Sequence, residues 1–587
     1  AKTADVLMPE TEKEIDNLPE VNNLLNIFSG ISKKSKSELI GIYSGKNFSG
    51  FKEDLSEVLA ELISPIKSEV SKLMADKTYL DSILKKGSNL GHPVTIILSF
   101  SKLLEFYSGK DMLSKIESQF IELGEIVGNQ LEDLALTADK NSPKLSKRAR
   151  DGSFTNTIEK HPDFIKLEKY AFERFGLAAM SHRHGVFGMQ QKLPPIVKYG
   201  LTFLFVQSEF GLCCPLSMTD SLTRTLRKFG DNKIVDKFIN QLTSQNLDEL
   251  FQGAMFMTEQ HAGSDVGSID TYAENIDGQW YLTGDKWFCS NPDADLAMVL
   301  ARYDKNISGT KGLALFLLPK RLDSGKLNSY EIIRLKDKLG GRSFASGEIR
   351  LNKASAYIVG DPQKGFKQMT DMINMSRLSN GVRASGMMQR CLQESLFISN
   401  TRYAFKQKLI DIPLMQKQLL KMLIITEASR SMVFKASELL EKADNGDSIS
   451  QNIFRIITPL IKFRACRDVR KIAGDAMEIR GGSGYIEEWL DPKILRDSHL
   501  GSIWEGTSNI ISLDTIRALK KDNNIETLKY YLIQVVQTTK KNEHTENLLS
   551  AIDNVFSFVR TEIQEDFTSS SRKISSSLYY LCASIFL

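Results

Sequence analysis

The period of the apolar positions changes twice along this chain. Residues 1 to about 150 read as helices with polar breaks; over 51–63, Leu55, Val58, Leu59 and Leu62 fall on one helical face. Asn141 to Arg150 is a charged, uneven stretch that reads as an exposed connection. Helical patterning resumes from His161 to about Leu247. From Gly253 to Asp361 the texture becomes short β-prone runs, 280–283, 297–301 and 313–318, separated by Asp-Gly, Asn-Pro and Ser-Gly breaks. Asp277-Gly278 predicts a two-residue hairpin turn. Beyond Gly365 long helical patterning returns, through Arg402 to a glycine turn at Gly481 and again from Ser508. Helical, β, helical is the order of separately packed layers, an α+β multidomain chain rather than a βαβ dinucleotide fold. The expected divisions are a helical N-terminal extension (1–150), an N-terminal helical domain (151–252), a middle β-domain (253–361), a C-terminal helical domain (362–519) and a helical C-terminal extension (520–587).

At 587 residues the chain can bury several cores. Its 76 Lys and Arg against 72 Asp and Glu leave a formal charge of +4, which predicts no strong attraction to nucleic acid. Residues 515–587 carry nine Lys/Arg against eight Asp/Glu, so tight DNA binding is not expected there either. Six scattered cysteines without paired spacing predict a reducing compartment, the cytoplasm or, in a eukaryote, the mitochondrial matrix. No metal site is expected, because His182 and His184 have no ligand partners nearby. Ala1 to Glu10 has no apolar signal-peptide core, and no apolar run reaches the roughly 18 residues that span a bilayer. The apolar 578–587 is expected to be a buried terminal helix or a protein contact.

The candidate chemistry centres on Leu500 to Ile510, where Glu505 stands between Trp504 and Gly506. A glutamate held against an apolar surface has its pKa raised by desolvation and can serve as a general base for a weakly acidic C–H bond. Upstream, Thr258 and Ser264 supply hydroxyls around Gly263, whose missing side chain lets backbone N–H groups approach a ligand. Phe288 offers an aromatic face beside the hydroxyl of Ser290, and Arg402 a planar five-donor fork. Gly481 and Gly482 make a turn that backbone can bring against phosphate or ribose. Taken singly, these features also suit a polar turn, a core Phe, a solvated helix face and a helix end.

In this order, T-E-x-x-x-G-S-D at 258, K-W-F-x-S at 286, R-x-x-F at 402, G-G-x-G-Y at 481 and W-E-G-T at 504 make a chain that resembles the acyl-CoA dehydrogenase flavoproteins over about 161–519. Lys286-Trp-Phe, Leu335 to Gly340, Ala476-Met-Glu478 and Ser502 to Gly506 are most similar to the AidB-like branch. The resemblance implies the family fold and FAD-dependent α,β-dehydrogenation of an acyl-CoA in fatty acid metabolism, with Glu505 as base. It implies FAD contacts from Met257, Thr258, Gly263, Ser264, Phe288, Cys289, Ser290, Arg402, Phe405, Glu478, Gly481, Gly482, Thr507, Ser508 and Asn509, and acyl-CoA contacts from Ser264, Arg377 and Gly506. It further implies an electron-transferring flavoprotein as electron acceptor and a homotetramer, a dimer of dimers, in which Arg402 reaches a neighbour's flavin. Two departures stand out: Lys406 where the family has Gly after R-x-x-F, and Glu478 where relatives often have Gln. The alternative is an AidB-like flavoprotein with a non-catalytic role, in acyl-chain sequestration or the response to DNA alkylation.

Overall fold

The computed structural model describes residues 8–9, 11–15, 18–32, 34–57, 97–539, 543–564 and 567–587. The chain divides into two compact units, 1–89 and 90–587. In the first, helices Pro19–Ser32 and Lys36–Tyr43 surround a small core of Leu25, Phe28, Leu39, Tyr43 and Phe51. Ser35 opens the second helix with a capping box: its side chain accepts from the Glu38 backbone N–H, and the Glu38 carboxylate accepts in return. Leu55 is buried, as its place on the expected apolar face requires, while Val58, Leu59 and Leu62 lie outside the described residues.

The second unit opens with helices Ile97–Ser108, Lys110–Val127 and Gln130–Lys140, whose Phe100, Phe120 and Leu131 join the main core. The expected exposed connection after them is instead a strand. β1 (Lys144–Arg148) pairs antiparallel with β2 (Phe154–Glu159). Its charged side chains hid it, because an edge hairpin is held by backbone pairing rather than by apolar burial. Asn156 of β2 is buried and bonds the backbone of Tyr330 and Ile332, which fixes the hairpin to the middle domain.

That middle domain holds β3 (Gly253–Phe256), β4 (Tyr272–Ile276), β5 (Gln279–Ser290), β6 (Leu296–Arg302), β7 (Leu313–Pro319), β8 (Tyr330–Leu335) and β9 (Ser346–Ile358). The strand order is β3-β6-β4-β5-β9-β7, with β8 added on β9 and β7 pairing back to β6. Asp277 and Gly278 both take positive φ, 51° and 86°, between β4 and β5, the hairpin turn read from the sequence. The register of β5 on β9 shifts between Lys286 and Cys289. This bulge turns both Lys286 and Cys289 inward and leaves Trp287 and Phe288 on the outer face.

Three long helices, Gly365–Thr401, Pro413–Asp444 and Ser448–Arg480, form the C-terminal bundle, followed by Leu490–Leu500 and Ser508–Lys520. Helices Asn524–Gln537, Glu543–Gln564 and Phe567–Phe586 add Leu528, Leu532, Phe556 and Leu578 to the same core. Within the apolar C-terminal run Leu578, Tyr579, Leu581, Cys582 and Ala583 are buried, while Tyr580 and Leu587 are exposed. Among the described residues no helix is long and apolar enough to cross a membrane.

Candidate functional site

Glu505 lies in the loop between helices Leu490–Leu500 and Ser508–Lys520. Its backbone is left-handed, with φ of 54°, and Gly506 follows at 106°. Non-glycine residues hold such a conformation only where their surroundings enforce it. Here a single buried cation does much of that. Lys462, inside the helix Ser448–Arg480, donates to the carbonyls of Gly501, Trp504 (2.9 Å) and Gly506 (3.3 Å). Burial lowers the Lys462 pKa from its ordinary value. Arg377 adds a bond to the Glu505 carbonyl at 3.3 Å.

The carboxylate is gripped from one helix face. Ser376 donates to Oε1 and Asn380 to Oε2 at 2.6 Å. These two residues are four apart on the helix Gly365–Thr401 and so share a face. Trp504 does not simply shield the carboxylate. Its indole N–H donates to Asn380 Oδ1 at 2.6 Å, so Asn380 orients acid and aromatic together. The Trp504 ring lies 6.0 Å from Phe210 and 6.4 Å from Phe344, centroid to centroid. Residues of the N-terminal helices, the β-domain and the C-terminal bundle therefore meet at this one side chain.

Arg377 was expected at the substrate. Its guanidinium bonds Asp514 at 2.7 Å, and Arg455 bonds the other Asp514 oxygen at 2.7 Å. Burial opposes the charge on Asp514, but Arg455 and Arg377 outweigh it and hold the carboxyl below its usual range. The bridge ties three helices around the Glu505 loop.

On the β-domain, Met257, Thr258 and Ser290 are half-buried and Phe288 is 58% exposed, on the outer face that the bulge creates. Beneath them Lys286 and Glu259 form a buried ion pair at 2.7 Å, and Lys286 also donates to the Met257 carbonyl at 3.3 Å. Cys289 is the exception among the expected contacts. Its side chain is fully buried in the β-domain core, so only its backbone is left to meet a ligand. Ser290 and Ser346 hydroxyls are 3.4 Å apart, and Lys338 donates to Ser346 Oγ at 3.2 Å and to the Phe344 carbonyl at 2.6 Å. Burial pulls the Lys338 pKa down to about 7. A cavity of about 230 Å³ opens beside Lys338, Phe344 and Ser346. A larger groove of about 950 Å³, lined by Gln130, Tyr170 and Phe187, contains none of the expected site residues.

Cys214 connects the two halves of the site. Its thiol feels both Ser290 and Glu505, and burial pushes its pKa up to about 11. A third group lies on the bundle. Arg402 Nη1 donates to the Arg480 carbonyl at 2.8 Å, and a side chain at Gly481 would meet that nitrogen at 3.0 Å. Glu478 is exposed, and Phe405 is 91% exposed at the tip of the hairpin Tyr403–Ala404/Gln407–Lys408. Thr507 stands at the N-cap position of the helix Ser508–Lys520 without a side-chain capping bond, and the helix begins with the expected residues Ser508 and Asn509.

An FAD finds suitable residues in this arrangement. Phe288 presents an exposed ring beside a hydroxyl, Ser264 is exposed, and Gly482 has nothing within 4 Å of where a side chain would begin. Gly263 is almost as open, with only a Thr258 methyl at 3.9 Å. Sequence reasoning missed Ser376, Asn380, Lys462 and Asp514. The available signal was polar residues at helical spacing inside runs that are otherwise buried.

The chain matches the acyl-CoA dehydrogenase C-terminal domain over residues 363–520, the acyl-CoA dehydrogenase middle domain over 254–354 and the N-terminal domain of the adaptive response protein AidB over 99–249. It is 32% identical to acyl-CoA dehydrogenase family member 11 of Caenorhabditis elegans over 422 residues, covering 70% of this chain and 68% of that one. It is 30% identical to AidB of Escherichia coli (strain K12) over 424 residues, covering 70% of this chain and 75% of that one. The crystal structure of Caenorhabditis elegans ACDH-11 in complex with C11-CoA superposes with a TM-score of 0.77 at 28% identity, covering 83% of this chain and 85% of that one.

Proposed function

Because the chain belongs to the acyl-CoA dehydrogenase family, in its AidB-like branch, and is an FAD-dependent oxidoreductase acting on acyl-CoA, we propose that Glu505 is the base that removes the substrate's α-proton. The observation that carries this is the grip on its carboxylate: both oxygens accept hydrogen bonds from one helix face while the backbone is locked in a left-handed turn. A base fixed in this way needs no reorganisation when it meets the α-carbon. The Glu505 N–H is part of the same fixed turn and supports the charge that develops on the thioester oxygen, as preorganised donors do. FAD, when bound, supplies the acceptor for the β-hydride. Met257, Thr258, Phe288 and Ser290 would hold it from the β-domain, and Arg402, Gly481 and Thr507 from the bundle.

Electrons leave to an electron-transferring flavoprotein, the protein works as a homo-oligomer, and tight DNA binding plays no part in its activity. The oligomer reading draws support from the exposed Tyr403, Phe405 and Leu414.

Glu505→Gln tests the base. It keeps size, and the variant is expected to retain FAD while losing flavin reduction by acyl-CoA about 10²–10⁴-fold. Anaerobic stopped-flow bleaching reads this directly. Equal rates in both proteins would remove Glu505 from the mechanism, and no bleaching in either across many acyl lengths would favour sequestration.

A further inference from the structure

One turn beyond Asn380, on the same helix face, lies Arg383. It is completely buried, with 0% of its surface exposed. Its Nε donates to the Ser379 carbonyl at 3.2 Å, but neither Nη1 nor Nη2 has a hydrogen-bond partner. The guanidinium lies 5.0 Å from the Trp504 ring and 5.5 Å from that of Phe210. Aromatic contacts of this kind hold the fork without occupying the N–H groups at its edge.

The acids nearest it are Glu505 and Glu209, and neither is hydrogen-bonded to its two Nη atoms. Cys213, Cys214, Cys466 and Lys462 all lie within its electrostatic range. Burial pushes Cys213 up to about 12 and Cys214 up to about 11, so both are neutral thiols. Lys462 is engaged with the loop carbonyls. Glu505, which shares Cys214 as a neighbour, has both oxygens taken by Ser376 and Asn380. Buried guanidinium N–H groups without acceptors are unfavourable, and a ligand that brings an oxyanion satisfies them. Two free N–H-bearing nitrogens on one planar fork match a carboxylate.

We propose that Arg383 forms an oxyanion subsite against the Trp504 and Phe210 rings, one that takes a carboxylate carried on the acyl chain of the substrate. This rests on the reading of Glu505 as the base at an acyl-CoA site. A purely hydrocarbon acyl end would leave the two nitrogens unpaired.

The test compares length-matched pairs on the FAD-loaded full chain: succinyl-CoA against butyryl-CoA and glutaryl-CoA against valeryl-CoA. Binding is followed by the shift of the flavin absorption band. The carboxylated member of each pair is expected to bind at least about tenfold tighter. Arg383→Met and Arg383→Gln should bring that ratio to about one, and Arg383→Lys, which keeps the charge and loses the fork, should retain part of it. If the neutral variants fail to hold FAD, the wild-type and Arg383→Lys ratios decide. Equal affinities within the pairs in wild type, or a preference undiminished in whichever variants hold FAD, would overturn the subsite. Wild-type bleaching by butyryl-CoA without any carboxylate preference would sink Arg383 alone. Failure of all four compounds to bind would sink the acyl-CoA reading with it.

Discussion

At the scale of residues, the site is organised by groups that do no chemistry themselves. Asn380 is the clearest. One side chain holds Glu505 Oε2 and the Trp504 indole, each at 2.6 Å. Asn380→Ala should leave the proposed base, Glu505, in place but free to swing, and a misplacement of about 1 Å can cost on the order of 10²-fold. We expect flavin reduction to slow by that order while FAD content is unchanged, measured by stopped flow on reconstituted protein; an unaltered rate would mean that Ser376 and the locked backbone suffice. Glu505 itself was legible in the sequence because W-E-G-T is a contiguous string. Asn380 was not, because its meaning depends on a loop 125 residues away in sequence. Lys462 was hidden for a related reason: a lysine within the apolar run Ile453 to Phe463 becomes informative only once the carbonyls it meets are known.

At the scale of elements, two small devices carry testable consequences. The first is Asp514, which joins three helices through Arg377 and Arg455. Its folded pKa lies below the unfolded value, so the bridge contributes stability above about pH 4 and loses it as pH falls through the folded pKa. Asp514→Asn should therefore lower stability at neutral pH and remove part of its fall in acid, as seen by urea denaturation at a series of pH values. A parallel drop at every pH would speak against the bridge. The second is the hairpin tip, where Phe405 and Lys406 both have positive φ, 50° and 67°. The family's glycine fits this turn without strain, and its replacement by Lys406 costs roughly 1 kcal/mol. Lys406→Gly should protect the Leu409 amide, which bonds the Arg402 carbonyl, against hydrogen exchange by about that energy; unchanged protection would show that the strain is relieved elsewhere. Turn chemistry of this sort can be read from sequence when a hallmark pair such as Asp277-Gly278 is present. The bulge at Trp287 and Phe288 has no such mark, so the sequence did not tell that the Cys289 side chain would turn into the core and leave only its backbone to face a ligand.

At the scale of the whole molecule, the helical–β–helical order was legible because the apolar period changes from 3.6 to 2 and back. What escaped it was how far the bundle extends: helices from Ile97 onward and beyond Asn524 share one core with the neighbours of the Glu505 loop, and their amphipathic patterns alone name no partner. One surface feature then asks for an explanation beyond the single chain. Phe405 is 91% exposed, Leu414 80% and Tyr403 65%, all within one short stretch that also contains the strained turn. Leaving a Phe in water forgoes about 1.5–3 kcal/mol of burial, and a cluster of such residues marks a contact surface. A second copy of the chain suits it, because Arg402 at the base of the same hairpin spends only Nη1 on its own chain's Arg480 carbonyl and is otherwise exposed. We expect the FAD-saturated protein to run as a homo-oligomer in light scattering, and Phe405→Asp to shift it toward smaller species with loss of bound FAD in step. A stable, FAD-saturated wild-type monomer would refute the assembly, while a monomeric Phe405→Asp variant that keeps its full flavin would separate the interface from the cofactor site.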